Sequence, residues 1–571
     1  MAARYTSFVS VVLGITTSLV SLQAQQGAVG SSQTTVDREK ALALSGIVRS
    51  EEEGSMEGVV VSVRGENSVF SVSVVTDVRG VYSFPRSHLA DGSYTVAIRA
   101  VGYDLVNPGP VRIVGDIRSI VDLELQKTTH LARQLSSAEW VLSMPGTSAQ
   151  KSGLVHQLVS CAYCHTYRRI MESRHTADEF LPVIQRMGTY YPDGTAVSDN
   201  NRRGRAVKNT ENGQRSFVAP PNWGFTPGIP KTELANFLAS VNLSGGEESW
   251  DYKLETLPRP TGEATRVIVT QYDMPTAETV AHDMDIDSQG NVWYTDESRQ
   301  MIGKLDSRTA TFTEYELPPV NEGDVPGTRD VQVDMHDRIW FPMRVPGGGT
   351  VLTRFDPATE EIRSVAGIGG QFLAMGPDGK LWIGFTRVDP ETMQVDASFS
   401  FRDFVPKGAS PYVDNSRVDS QGNAWMVTNR GPGGVIGVST DTGQVDWFPV
   451  EGLSARRGRI DPDDRLWYGE YLNDKIFMFD SRTKQVRRWE VPEYSTPYTV
   501  SIPDKNGYVY APSNMSERLI RLDPRTGTVI EYQMPTEFDA KKIAYDPTTD
   551  NVVLWMSNMR VARITKVELL D

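Results

Sequence analysis

The sequence predicts a mainly-β, multidomain chain: a small β-sandwich, a small α-helical domain and a seven-bladed β-propeller. Three observations predict it. Alternating polar and apolar runs, broken by turn signals, fill the region from residue 42 to 126. Apolar residues at helical spacing replace them between residues 136 and 245. From 264 to 571 an aromatic residue recurs seven times, at Trp293, Trp340, Trp382, Trp425, Trp467, Tyr510 and Trp555, with spacings of 42–47 residues. That period, with several short strands per unit, is the pattern of a propeller.

Composition narrows the function classes. Of 571 residues, 39% are hydrophobic and 23% charged, which excludes a disordered chain or a polytopic membrane protein. The net charge of −14 repels nucleic acid and anionic lipid, so neither is expected as a partner. Two cysteines cannot form a multi-disulfide framework.

The N-terminus carries Arg4, an apolar stretch from Phe8 to Leu22, and Ala24 at a cleavage position. This reads as a signal peptide over residues 1–24, and the stretch is short for a membrane span. Residues 25–41 are expected to be a linker. The mature chain is therefore expected to be periplasmic or secreted, with no membrane span after cleavage.

In the first domain, Gly58 to Val63, Val69 to Val75, Val81 to Phe84 and Tyr94 to Ile98 read as strands. Turn signals separate them at Thr76-Asp77-Val78-Arg79-Gly80 and Asp91-Gly92. The pattern Thr-Asp-x-x-Gly-x-Tyr, Gly-x-Tyr-x-Val and Gly102-Tyr103 resembles the carboxypeptidase regulatory-like domain. That resemblance implies a structural, docking or carbohydrate-binding module, with a carbohydrate or envelope component as the candidate partner.

Both cysteines fall in Cys161-Ala162-Tyr163-Cys164-His165, the C-x-x-C-H motif. Two thiols at this spacing add to the vinyl groups of a haem, and the next histidine ligates the iron. The expected cofactor is one covalently bound haem c. A C-x-x-C dithiol is the alternative, but it expects a βαβ context. Flanking helices are expected from Gly153 to Ser160, from Thr176, a candidate cap, through Met187, and from Lys231 to Leu243. The last resembles the C-terminal helix of cytochromes c, so residues 136–245 are expected to form an α-helical cytochrome c domain. Met187 is the favoured sixth iron ligand, with His175 and His156 as rivals.

In the propeller region each aromatic follows a turn such as Asp287-Ser288-Gln289-Gly290-Asn291. Strands such as Ile302-Gly303-Lys304-Leu305-Asp306 and Tyr315-Glu316-Leu317-Pro318 come next. The last unit lacks its outer strand, and Val267 to Pro275 matches the missing one, so this segment is expected to close the ring. The repeats resemble the virginiamycin B lyase (streptogramin lyase) family. That resemblance implies elimination chemistry with a His base, acidic residues and a magnesium ion. Eleven residues before the aromatics of the first five repeats stand His282, Arg329, Gln371, Asp414 and Arg456, and insertions in the last two repeats put Tyr498 and Lys541 at the aligned positions; three after the aromatics stand Asp296, Met343, Phe385, Thr428, Glu470, Ser513 and Asn558. Only His282, Asp296 and Glu470 are candidate catalytic residues, and no single repeat holds the family's full set.

Three functions follow. The first is a mono-haem redox protein, with a propeller that binds a small-molecule substrate or a redox partner protein. The second is a lyase-like enzyme with an incomplete motif. The third is a binding or scaffold protein whose haem acts as a sensor.

Overall fold

A computed structural model describes residues 42–158, 165–187, 231–243, 249–321, 324, 326–365, 367–411 and 416–570. The expected signal peptide and linker lie outside these residues. So do Cys161, Cys164 and Asp414.

The N-terminal sandwich forms because its strands alternate. In Val60–Gly65 and Phe70–Val75, Val61, Val63, Val72 and Val74 turn inward onto Tyr82, Phe84, Tyr103 and Leu123. One sheet is built on Leu42–Ser50, which pairs in parallel with Leu123–Lys127 and antiparallel with Val81–Pro85. The other runs Phe70–Val75, Val60–Gly65, Gly92–Arg99, Val111–Ile113.

The propeller has seven blades. Four of its sheets hold four strands, beginning at Ala281, Gln332, Ala374 and Ala455; a five-stranded sheet begins at Ser410 and a three-stranded one at Val509. The seventh blade contains Ile543–Tyr545, Val553–Asn558 and Arg563–Leu569, and Val267–Asp273 completes it in antiparallel register, Val267 opposite Leu569 and Asp273 opposite Arg563. The expected ring closure is thus observed. The other edge of the closing strand pairs with Phe70–Val75 of the sandwich, so blade and sandwich share one eight-stranded sheet.

The repeated aromatics are pinned by repeated aspartates. Nε1 of Trp293, Trp340, Trp425, Trp467 and Trp555 donates to Asp287, Asp334, Asp419, Asp461 and Asp546 at 2.8–3.0 Å. Tyr510 donates its hydroxyl to Asp504 at 2.8 Å. In the third blade Gly376 replaces the aspartate, and the buried Trp382 Nε1 has no partner among the described residues.

Among the described residues the expected α-helical cytochrome c domain is not found, and this corrects the fold class. The described chain is dominated by strands arranged in small sheets, with only short helices: Ser137–Ser143, Ser148–Leu158, Arg168–Met171, Ala177–Met187 and Lys231–Val241. The expected cap at Thr176 is present, with its backbone N–H donating to Glu179 at 2.8 Å. Helices of 4–11 residues present too little surface to enclose a core of their own. Their buried residues Trp140, Tyr167, Met171, Phe180 and Leu238 instead share one cluster with Phe372, Tyr471, Tyr494, Tyr498 and Met515 of the propeller. Among the described residues no helix is long and apolar enough to cross a membrane.

Candidate functional site

In the first and fifth blades the inner strand begins where the second strand ends. Ala281 lies opposite Asp296 in the first blade, and Ala455 opposite Glu470 in the fifth. One face of the ring, its mouth, therefore gathers the residues eleven before each aromatic and four after it. The first set supplies His282, Arg329, Gln371 and Arg456, with Tyr498 and Lys541 at the aligned positions of the last two blades. The second supplies Glu297, Arg344, Tyr471 and Asn514, which counting to the third position passes over.

Beneath the mouth, ion pairs fill the channel. Arg457 binds Asp283 and lies 3.2 Å from Asp330. Lys542 lies 3.4 Å from Asp330 and 3.5 Å from Asp285. The Arg457 guanidinium covers the Phe372 ring at 4.6 Å. Charges this deep persist only because each meets an opposite charge.

His282 is 2% exposed, with Nδ1 3.0 Å from Asp283 Oδ1. Burial lowers its pKa despite the pull of Asp283. Asp283 is already held by Arg457, so His282, at the mouth, is tied to the ion pairs beneath it. Asp296 accepts from Val280 N at 3.1 Å, Ser298 N at 2.8 Å and Arg299 Nε at 2.7 Å. Glu470 accepts from Arg488 at 2.5 Å and from Asn473 at 2.9 Å. Both acids clip strand ends within their own blades. Among the described residues no group of three His, Cys, Asp or Glu side chains is arranged to hold a metal ion.

Glu297 differs from these. It is 2% exposed, and burial pushes its carboxyl well above the usual carboxylate range. Arg329 Nε donates to its Oε1, while Oε2 has no hydrogen-bond partner among the described residues. Both ends of the buried Asn514 amide are likewise without a partner among them. The signal for both was present in the repeat: the position just past the strand end.

The helical segment lies against this mouth. The Ala138 N–H donates to the Met515 carbonyl at 2.9 Å, and the Tyr167 hydroxyl lies 4.0 Å from Met515 Sδ. His165 opens the described part of this segment. Its Nδ1 is 2.8 Å from the Thr166 carbonyl. A carbonyl only accepts, so Nδ1 carries the proton and Nε2 carries the lone pair. Burial, then the cations Arg169 and Arg560, hold the ring below the usual histidine pKa against the Thr166 bond. Met187 is the last residue of its helix, and His156 lies within Ser148–Leu158. His175 is exposed, its ring 5.4 Å from that of Phe180.

Comparison with known proteins adds the following. No curated protein matches the chain. Virginiamycin B lyase from Staphylococcus aureus is similar in structure, with 15% identity and a TM-score of 0.45, over 53% of this chain and 100% of that one. The extracellular domain of a putative one component system from B. thetaiotaomicron gives 15% identity and a TM-score of 0.39, over 50% of this chain and 40% of that one. Kuenenia stuttgartiensis hydrazine synthase gives 12% identity and a TM-score of 0.41, over 52% of this chain and 97% of that one. The family model of the carboxypeptidase regulatory-like domain matches residues 43–126, and the N-terminal module is such a domain.

Proposed function

We propose that the protein is a periplasmic or secreted redox protein. Cys161 and Cys164 would hold one haem c covalently, and His165 would ligate its iron. The propeller mouth beside it receives a small-molecule substrate or a partner protein that exchanges electrons. The observation that carries this reading is the His165 ring. Its Nδ1–H is committed to the Thr166 carbonyl at 2.8 Å, which fixes the ring and leaves Nε2 to coordinate, as in metal-ligating histidines. Among the described residues, His165 therefore suits the group.

When bound, haem c supplies one-electron chemistry at its iron. The chain's own residues do the rest. Thr166 orients the imidazole. Tyr167 and Met515 hold the segment against the propeller. Met187 is the sixth ligand in this proposal, because a thioether favours the reduced iron. Glu297 and Asn514 offer polar atoms at the mouth to a bound molecule.

Those two residues also favour a second reading, in which the mouth binds a ligand without turnover. Lyase-like elimination has less support, since Asp296 and Glu470 are spent on Arg299 and Arg488.

The test is a visible spectrum of protein made in a host that matures c-type cytochromes. The reading expects sharp α and β bands on reduction and colour that survives denaturation. The double variant Cys161→Ser/Cys164→Ser should lose that colour. Met187→Ala should lose the weak long-wavelength band of Met-ligated ferric haem. A colourless wild-type protein would sink the reading.

A further inference from the structure

Three parts of the chain meet at one cavity of about 200 Å³. Its wall includes Arg99 from the sandwich, Thr166 and Arg168 from the helical segment, and Glu517 and Thr536 from the propeller. Glu517 is 2% exposed. Its carboxylate binds Arg99 from one side and Arg560, at 3.2 Å, from the other. Arg99 is itself anchored, donating to the carbonyls of Met534 at 3.0 Å and Thr536 at 2.8 Å. Arg560 also reaches the Asn514 carbonyl at 3.3 Å.

This chain of charges adjoins the ligand side of the site. Thr166, whose carbonyl orients His165, lines the same cavity as Glu517 and Arg99. Arg560, bound to Glu517, ties this wall to the Asn514 carbonyl at the propeller mouth. Charges in so buried a place interact far more strongly than they would in water.

We propose that the Arg99–Glu517–Arg560 chain sets the electrostatic environment of the group held by His165, so that Arg99 makes the N-terminal sandwich part of the redox site. This rests on the haem reading above. Glu517 and Arg99 are positioning residues: neither touches the haem, and both act through Arg560 and the Thr166 wall. Oxidation places one more positive charge at the iron. A nearby carboxylate favours that state, and a nearby guanidinium opposes it. Glu517→Gln therefore raises the reduction potential. Arg99→Gln lowers it, because Glu517 is then less neutralised. Arg99→Lys keeps the charge and restores the wild-type value.

The experiment is a spectroscopic redox titration of the haem-loaded full-length protein and the three variants, with thermal unfolding followed in parallel. Shifts of opposite sign for E517Q and R99Q, with R99K at the wild-type potential, support the proposal; a purely structural role would change stability and leave the potentials together. Shifts of the same sign, or none, overturn it. If E517Q does not fold, the arginine pair decides. A lower potential in R99Q with R99K unchanged supports the proposal, and R99Q at the wild-type potential overturns it. A wild-type protein without covalent haem gives nothing to titrate, and that separate result removes the haem reading and this inference together.

Discussion

Trp382 is the exception among the repeated aromatics, and it shows what the repeated aspartate does. Its indole N–H is buried without a described partner because Gly376 stands where other blades carry aspartate. A Cβ at Gly376 would lie 3.3 Å from Trp382 Nε1 and 2.6 Å from Asp378 Oδ1, the end of a side chain that can turn away. Gly376→Asp should therefore stabilise the propeller by about 1 kcal/mol. A lower unfolding temperature for the variant would refute this. Asp474 predicts a pH effect. It accepts the N–H groups of Tyr494 at 2.7 Å and Thr496 at 2.8 Å, yet burial raises its pKa from 3.8 to about 6. The folded chain thus holds this proton more tightly than the unfolded one. The stability involved is fully present below pH 3.8 and is lost as pH rises through about 6. Between pH 4 and 7 the loss should be on the order of 2 kcal/mol. Denaturant midpoints in Asp474→Asn should lack that part of the slope. The candidate site was only partly legible at this scale. Counting from the aromatics reaches His282, Asp296 and Glu470, but a count does not say which way a strand end turns. Asp296 and Glu470 turn to arginines of their own blades, and the mouth position falls one residue later, at Glu297.

At the scale of the strand, the recurring glycine has a steric cause. A Cβ on Gly303 would meet the Tyr294 ring at 2.1 Å, and one on Gly437 would meet the Trp425 ring at 2.6 Å. The aromatic of one strand lies flat across the glycine of the next, and the ring's packing requires the missing side chain. Gly303→Ala should cost about 1–3 kcal/mol through overpacking, read from chemical denaturation. An unchanged midpoint would show that the ring can move aside. The strands were legible because this pairing is local and repeats. The helices were legible as helices, since Ala177–Met187 carries its own cap and apolar stripe. Their partner was not. The helix packs against Lys231–Val241, and the cluster they share continues into Tyr471, Tyr494 and Tyr498, about 300 residues away, which no local pattern announces. A domain was therefore expected where the structure has a layer on the propeller.

Across the whole molecule, the sandwich and the propeller are joined edge to edge. Ile268 of the closing strand lies in the sandwich core, while Val60 and Val75 of the sandwich lie in a propeller cluster. Deleting residues 42–126 should leave Val267–Asp273 with one unpaired edge and expose Ile268. Unpaired edges seek other strands, so the shortened protein should associate with rising concentration, as light scattering would show. A monodisperse monomer would mean that the edge protects itself.

The closing strand also gives the molecule a sense of completion. Val269 finds its partner in Val567, about 300 residues later, so the ring stays open until nearly the last residue is available. A chain made from its N-terminus presents the sandwich and the helical segment well before that partner arrives. The order of events is written into the connectivity: the sandwich and the first blades come early, closure comes last, and a prematurely ended chain never shuts.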